Sequence, residues 1–285
     1  MTAPAPSAPL DSSASIVIAI AGLQPGSGKT HAALHIGAGL AAGGAKVLIA
    51  DTDPQNAIAL TQGISMGQML MLDEHRLSLS SALLSGASLS GAALHGNPQV
   101  LLAGHLVGAI NRRVLTEERD PELALEAIAA KLGALRHQHD FVLIDCSAAA
   151  SALATAAIWC ADIVLLPARL APQGCAGIAR SLAFIDELKQ RGPPGRHEVW
   201  VLPRLDPQHP GLRQFRLAIE PDAVRVVRQF SPIELDCPEI SAAAGDGSPA
   251  MLRQDWHLKS LRGLNVINPC GHVVRRVLEW RTTAR

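Results

Sequence analysis

The sequence predicts a doubly wound α/β fold, in which helices cover both faces of a mainly parallel sheet. Short apolar runs recur along the chain, and segments with helical spacing separate them, which is the alternation that produces such sheets. The first run passes into a helix through a glycine-rich loop, and two later runs lead into aspartates. Because parallel strands bring their carboxyl ends to one edge, the pattern also predicts where a ligand would bind.

Six segments are predicted as strands because each contains a short apolar run. In chain order they are residues 16–20, 46–51, 100–103, 141–145, 163–166 and 198–202. Pro167 is expected to end the fifth strand. A further strand is expected around Arg225 and Arg228.

Helices are predicted between these strands. One begins near Lys29 and ends at Gly43-Gly44, which resembles a C-cap pair. Another begins at Pro121, a residue that suits the first helical position. The others span residues 77–86, 148–159 and 174–189.

Apolar spacing indicates which helical side chains face the core. In the helix from Pro121 the leucines and isoleucine recur at helical spacing: Leu123, Leu125, Ile128, Leu132 and Leu135. Met66, Met69 and Met71 are expected to be core or lid residues, with a flexible partner surface as the alternative. His31 and His35 have a spacing that can bind metal, but ordinary helix residues are the favoured interpretation because no third ligand is evident.

The loop 21–31 has the composition of a phosphate-binding loop. Gly26 and Gly28 allow successive N–H groups to turn inward, and the following helix adds free N–H groups and its positive dipole end. Lys29 is expected to contact the β- and γ-phosphates, and the Thr30 hydroxyl to bind Mg²⁺. The strict motif is not met, because Leu23 occupies its first glycine position. The alternative is a tight strand-to-helix turn that binds no ligand.

Two predicted strands run into aspartates. The second strand leads into Asp51 and Asp53, and Asp145 ends the strand 141–145 as a Walker B aspartate would. A single apolar strand ending in aspartate is a weak signal. Together with the loop, however, these three residues form a coherent candidate site for Mg²⁺ and a nucleotide.

At this point the chain resembles the ParA/MinD family of deviant-Walker ATPases. The matching segments are residues 26–30 (GSGKT), 47–55 (VLIADTDPQ), 141–146 (FVLIDC) and 161–167 (ADIVLLP). Their order and spacing match over roughly residues 16 to 190, and a weaker match follows at 240–249. The Asp-x-Asp-Pro-Gln sequence is closer to the ParA branch than to MinD.

The resemblance implies roles for individual residues. Asp51 would support Thr30 and Mg²⁺, and Asp145 would be the Walker B acid. Asp53 would position the attacking water, so that Lys29 and Asp53 are the predicted catalytic residues. ATP and Mg²⁺ are the implied cofactors. The nucleotide would be bound by Gln24, Pro25, Gly26, Ser27, Gly28, Lys29, Thr30 and His31.

The chain also departs from the family pattern. The family usually has a second lysine early in the loop, which reaches the partner's nucleotide across a dimer, and Gln24 occupies that position. Pro25 stands where the family has glycine, and His31 where it has a second threonine. Ser147-Ala148 replaces a usual proline pair. On physical grounds, these changes leave nucleotide binding intact. They argue against hydrolysis that is coupled to dimer formation.

Composition excludes few classes of partner. The chain has 25 Lys and Arg against 25 Asp and Glu, so its net charge does not by itself indicate a nucleic-acid or membrane partner. Residues 181–285 carry 15 basic and 12 acidic residues. The family resemblance implies that basic residues here, such as Arg213 and Arg216, contact DNA non-specifically. The favoured alternative is that these arginines are scattered over the surface and bind nothing. The five cysteines are odd in number and show no paired spacing, which suits reduced thiols in a cytosol. Neither a disulfide framework nor a cysteine-based zinc site is expected.

The two ends of the chain differ in character. Residues 1–15 are small and proline-rich and are predicted to be a flexible tail, leaving residues 16–285 as a single domain. No apolar run is long enough to span a membrane. The stretch 273–281 is amphipathic; packing on the sheet is favoured over membrane-surface binding. From these features and the cysteine content we expect a cytoplasmic location.

The resemblance implies a ParA-like ATPase that hydrolyses ATP slowly and switches between monomer and homodimer. Its task would be DNA partitioning or positioning of a cargo, with non-specific DNA and a ParB-like or other activating protein as partners. The alternative is a hydrolysis-deficient, MinD-like nucleotide-binding scaffold in a larger assembly, such as a cellulose-synthesis or secretion system. A small-molecule kinase is less favoured, since no acceptor pocket is evident.

Overall fold

The structure is a computed structural model that describes residues 15–169, 172–192, 198–204, 224–226 and 271–283. Some predictions concern residues outside these ranges. They are the N-terminal tail apart from Ser15, the basic residues Arg213, Arg216 and Arg228, and the weak match at 240–249.

Seven strands form one sheet, and all of their pairings are parallel. In chain order they are β1 (Ile16–Ile20), β2 (Val47–Asp51), β3 (Gln99–Leu101), β4 (Phe141–Asp145), β5 (Ile163–Arg169), β6 (Glu198–Arg204) and β7 (Val224–Val226). Their spatial order is β3-β2-β4-β1-β5-β6-β7. The strand with the glycine-rich loop is therefore central, and β4 lies between it and β2.

The described residues also contain α-helices on both sides of this sheet. They are α1 (Lys29–Ala42), α2 (Ala57–Thr61), α3 (Met66–Glu74), α4 (Leu79–Ser85), α5 (Val107–Thr116), α6 (Pro121–Gly133), α7 (Ala152–Cys160), α8 (Pro172–Arg191) and α9 (Gly271–Thr283). Short 3₁₀ helices occur at Ser90–Ala92 and Ala134–His137.

Two hydrophobic cores lie on opposite faces of the sheet. In β1, Val17 and Ala19 join the core under α4 to α8, while Ile16, Ile18 and Ile20 join the core under α1 and α9. This alternation follows from the two-residue period of a strand, whose neighbouring side chains point to opposite faces. Because both faces are covered, the doubly wound α/β prediction is confirmed.

The fifth strand is longer than its sequence suggested. Pro167 was expected to end it, but β5 continues to Arg169 and Pro167 pairs in register with Leu202 of β6. On its other side, β5 pairs with β1 only over residues 163–165. Pro167 is tolerated because it lies beyond that pairing, so its missing N–H does not remove a hydrogen bond between β5 and β1.

Two helix predictions also need correction. The helix predicted at 148–159 begins at Ala152, because the Ser151 hydroxyl caps it by accepting the Ala154 N–H at 3.2 Å. In α6, Leu125 is buried, as expected, whereas Leu123 is 63% exposed. These two residues are two positions apart and therefore lie on nearly opposite faces of the helix.

The methionine-rich segment forms α3 and only partly joins the core. Met69 is buried, but Met66 and Met71 are 60% and 58% exposed. The core prediction is therefore confirmed for Met69 alone.

The amphipathic C-terminal segment forms α9 and packs on the protein. Val273 and Val277 are buried in the core beside α1. The Arg281 guanidinium lies 5.1 Å from the centroid of the Phe141 ring and donates to Asp140 Oδ1 at 3.2 Å. The packing prediction is confirmed. No helix in the described ranges has the length and apolarity to cross a membrane.

Candidate functional site

The loop between β1 and α1 has a conformation that suits phosphate binding. Gly26 and Gly28 have left-handed backbone angles, with φ of 66° and 94°, as their lack of Cβ allows. Gly28 is the N-cap of α1, so the free N–H groups of the first turn and the positive end of the helix dipole lie at the loop. The Ser27 hydroxyl is buried there without a hydrogen-bond partner among the described residues.

Lys29 is the first residue of α1 and is only 7% exposed. Its ammonium donates to the backbone carbonyl of Gln24 at 3.1 Å, which holds it across the loop. Burial lowers the pKa of Lys29, and the nearby Asp145 and Asp53 oppose that shift by attracting the cation. Because its hydrogen bond is to a neutral carbonyl, the ammonium keeps a positive charge that suits an anion bound in the loop.

Asp51 and Asp145 are brought together by the register of the sheet. β2 and β4 are neighbours, and these two residues are opposite each other at the carboxyl ends of the strands. Asp51 is fully buried and Asp145 is 1% exposed. The Thr52 hydroxyl and N–H both donate to the Asp145 carbonyl, at 2.8 and 2.9 Å, which ties the two strand ends together.

Three carboxylate oxygens of this pair make no hydrogen bond of normal length and angle within the described residues, although the Thr30 hydroxyl lies near Asp145: they are Asp51 Oδ2 and both oxygens of Asp145. Burial raises the pKa of Asp145 to about 7, while the Thr30 hydroxyl and the Lys29 ammonium oppose the rise. Burial, and then repulsion from Asp145, raises the pKa of Asp51. Buried, unsatisfied carboxylates are costly. This donor set therefore fits a hard divalent cation such as Mg²⁺, which would take further ligands from Thr30, phosphate and water.

Asp53 lies in the turn that follows β2 and is partly exposed. Its backbone N–H donates to Asp51 Oδ1 at 2.9 Å, and its own Oδ1 accepts the Gln55 N–H at 2.9 Å. The turn thus fixes Asp53 beside the buried pair and leaves carboxylate surface open to solvent.

The structure brings most of the predicted site residues together. The loop residues Ser27 and Lys29 and the acids Asp51 and Asp145 meet at one edge of the sheet. The edges of the loop are different in character, since Pro25 and His31 are exposed. Within the described residues no group of three or more His, Cys, Asp or Glu side chains could hold a metal ion, so the structure provides no third such ligand for the pair His31 and His35.

A family model described as an AAA domain matches residues 15–195. The chain belongs to that family. Among relatives, a chromosome partitioning protein ParA from Caulobacter vibrioides is 31% identical over 179 residues, which cover 61% of this chain and 63% of the relative. Maintenance of carboxysome distribution protein A from Synechococcus elongatus is 27% identical over 192 residues, which cover 61% of this chain and 66% of the relative. The chain is therefore a ParA/MinD-like protein with a deviant Walker motif.

Solved structures show the same fold at lower sequence identity. A Cyanothece McdA–ATP complex has a TM-score of 0.71 with 18% identity, covering 93% of this chain and 96% of that one. Cobyrinic acid a,c-diamide synthase from Mycobacterium smegmatis, with bound ADP and magnesium, has a TM-score of 0.66 with 20% identity, covering 89% and 98%. The matches to the Caulobacter and Synechococcus relatives extend over 63% and 66% of their lengths, slightly less than two thirds.

Gln24, which stands in place of the ParA/MinD family's second loop lysine, packs within its own chain. A Cβ added to Gly177 of α8 would lie 3.1 Å from Gln24 Oε1, so the Gln24 amide rests directly on that helix. Gln24 Oε1 is buried and has no hydrogen-bond partner in the described part of the chain. The side chain therefore lies against α8 and carries no charge.

Sequence reasoning missed two residues that hold the ParA/MinD-like site. Ser181 of α8 accepts the Leu23 N–H at 2.9 Å and donates to the Gly177 carbonyl at 2.8 Å, which attaches the loop to α8. Asn56 has a left-handed backbone with φ of 51° and is 5% exposed. No local pattern identifies Ser181, whereas an asparagine after Asp-Pro-Gln is a recognisable signal for a positive φ.

The buried carboxylates predict an unusual pH dependence of stability. An aspartate in the unfolded chain has a pKa of about 4, whereas burial raises the pKa of Asp145 in the folded chain to about 7. Between these values the folded chain binds more protons, so its free energy of unfolding falls as pH rises. We expect Asp145→Asn to be more stable than wild type at pH 8, by roughly 2 to 4 kcal/mol, and the difference to shrink toward pH 4.

Urea denaturation of the nucleotide-free protein in EDTA measures this difference. Glu126→Gln on the exposed face of α6 is the matched control, because it removes a carboxyl group outside the buried pair. A difference between Asp145→Asn and wild type that is the same at pH 5 and pH 8 would contradict the prediction.

Proposed function

We propose that the chain binds ATP with Mg²⁺ and hydrolyses it slowly. The observation that carries the proposal is the meeting of a buried lysine, left-handed glycines and two buried, unsatisfied carboxylates at one sheet edge. A polyphosphate offers the anionic oxygens that the loop and Lys29 lack. A divalent cation satisfies the buried carboxylate oxygens of Asp51 and Asp145.

Each residue has a distinct part in this proposal. The loop N–H groups and Lys29 would hold the β- and γ-phosphates and stabilise the charge that develops on them. Thr30, Asp51 and Asp145 would hold Mg²⁺, directly or through water. When bound, Mg²⁺ supplies charge neutralisation across the phosphates. Asp53, whose carboxylate is partly exposed beside the buried pair, would orient the attacking water.

The relatives support a positioning or partitioning role. The Caulobacter relative is named for chromosome partitioning, and the Synechococcus relative for carboxysome distribution. We propose that this chain likewise uses ATP to switch between monomer and homodimer in the cytoplasm, with non-specific DNA and an activating partner protein. Residues 16–285 would act as one domain.

A second function is favoured by Gln24. Its amide lies against Gly177 and carries no charge, so it cannot neutralise phosphate across a dimer. That observation supports a nucleotide-binding scaffold in a larger assembly, which binds ATP without cycling.

ATP turnover separates the two functions. We expect the purified chain to hydrolyse ATP in Mg²⁺, to do so faster with plasmid DNA, and to change from 29.9 kDa in ADP to about twice that mass in ATP by light scattering. Tight ATP binding with no turnover and a constant molar mass would support the scaffold. A chain that binds no ATP would contradict both.

A further inference from the structure

We propose that Asn56 is a positioning residue for Asp53, and that it holds the turn formed by residues 53–56, which we call the Asp53 turn, against a polar cluster around the buried Asp73. The inference rests on the proposed function, in which Asp53 orients the attacking water. It concerns residues that belong neither to the phosphate loop nor to the cation site.

Asn56 makes three hydrogen bonds that fix the turn after β2. Its backbone N–H donates to the Asp53 carbonyl at 2.9 Å, and its side-chain Nδ2 donates to the Pro54 carbonyl at 3.1 Å. Its Oδ1 accepts the Gly104 N–H at 3.1 Å. The last bond reaches 48 residues along the chain, and therefore fixes the turn to the segment after β3.

The backbone of Asn56 shows that this arrangement is specific. Its φ is 51° and its ψ is 39°, a left-handed conformation that few residues other than glycine adopt. Asparagine tolerates this conformation better than most, but glycine would fit it without a Cβ. The side-chain amide is thus the feature that glycine would not supply, since both Nδ2 and Oδ1 are bonded.

Gly104 packs against a polar cluster, which we call the Asp73 anchor: the buried residues Asp73, Ser78 and Ser80 and the exposed residue His105. The His105 N–H donates to Asp73 Oδ2 at 2.8 Å, and the His105 ring Nδ1 contacts the same oxygen. Ser80 Oγ donates to Asp73 Oδ1 at 3.0 Å, and Ser78 Oγ contacts that oxygen as well. Both oxygens of the buried Asp73 are therefore occupied, which makes the anchor rigid.

Gly104 lies in close contact with the Asp73 anchor. A Cβ placed on Gly104 would lie 2.2 Å from Ser80 Oγ and 2.5 Å from Asp73 Oδ1. The backbone of Gly104 thus sits directly on the anchor. The chain of contacts runs from Asp73 and His105 through Gly104 and Asn56 to the Asp53 carbonyl.

The Asp53 turn is consequently fixed at two ends. At one end the Asp53 N–H donates to Asp51 of the cation site, and at the other Asn56 bonds to Gly104. Without the second attachment, the partly exposed Asp53 carboxylate would sample more directions. Small displacements of a group that orients water reduce the rate of reaction much more than they reduce substrate binding.

The test compares Asn56→Gly with wild type in the full-length chain. Glycine adopts the left-handed backbone without strain and removes both side-chain hydrogen bonds, but it also frees the backbone. Asn56→Asp keeps a side chain at this position and therefore separates the loss of hydrogen bonds from the added backbone freedom. We expect kcat for ATP hydrolysis to fall about tenfold or more, and Kd for ATP to stay within about twofold. Asn56→Asp keeps an acceptor for the Gly104 N–H and should recover part of kcat. Arg76→Gly is the control, since Arg76 is the other described non-glycine residue with positive φ and should leave kcat unchanged.

A second readout does not depend on activity. Amide hydrogen exchange should become faster in residues 53–57 of Asn56→Gly and stay unchanged in β4. Equal kcat and equal exchange in Asn56→Gly and wild type would overturn the inference, as would a parallel loss of kcat and ATP affinity. If wild type does not hydrolyse ATP, the proposed function fails, and the exchange data decide separately whether Asn56 holds the turn.

Discussion

Lys29→Met is expected to abolish tight binding of ATP. Methionine is unbranched and close to lysine in length, so it can occupy the same buried path into the loop. It removes the ammonium that donates to the Gln24 carbonyl and lies near Asp145 and Asp53. Loss of one partner from a buried charged contact costs about 4 kcal/mol, which corresponds to roughly a thousandfold increase in Kd for ATP. Isothermal titration calorimetry in Mg²⁺ measures this change.

Lys46→Met is the matched control for this substitution. Lys46 is exposed and precedes β2, at the opposite edge of the sheet from the loop. Its replacement should leave Kd for ATP unchanged. An Lys29→Met variant that unfolds at the wild-type temperature and binds ATP with wild-type affinity would show that the loop does not bind phosphate through this lysine.

Asp53→Asn is expected to separate ATP binding from hydrolysis. The asparagine Oδ1 can still accept the Gln55 N–H that Asp53 Oδ1 accepts at 2.9 Å, so the turn should keep its shape. Without the carboxylate charge the attacking water loses its acceptor, and kcat should fall about a hundredfold. Kd for ATP should change little, because Lys29, Asp51 and Asp145 are unaltered. Single-turnover assays and calorimetry measure the two effects.

Glu126→Gln on the exposed surface of α6 provides the control for removal of a carboxylate. The proposed switch adds a second expectation, since an Asp53→Asn protein that cannot hydrolyse ATP should accumulate as an ATP-bound dimer. Unchanged turnover in Asp53→Asn would assign the water-positioning role to another residue.

The central part of the site was predictable because it depends on local sequence. Lys29 follows a glycine-rich loop, and Asp51 and Asp145 end fully buried strands. Short apolar runs of that kind are typical of the strands of a parallel sheet. Once the strands are parallel, their ends meet, and the two acids pair by register. The left-handed angles of Gly26 and Gly28 follow equally from the absence of a side chain.

The supporting contacts were not predictable because they depend on residues distant in the chain. Ser181 accepts a hydrogen bond from a residue 158 positions away, and Asn56 from one 48 positions away. Pro167 was expected to end a strand. The strand continues because, at this position, β5 is paired with β6 alone and no longer with β1. Such outcomes follow from which strand lies alongside which, and a single segment does not contain that information.

Calorimetric titration of ATP into the wild-type chain, in Mg²⁺ and again in EDTA, tests the central claim most directly. The account predicts one site per chain with strong binding in Mg²⁺ and clearly weaker binding in EDTA, because Asp51 and Asp145 would then repel the phosphates without a cation between them. No binding of ATP in either buffer, or binding of equal strength in both, would contradict the assignment of this sheet edge as a Mg²⁺–ATP site.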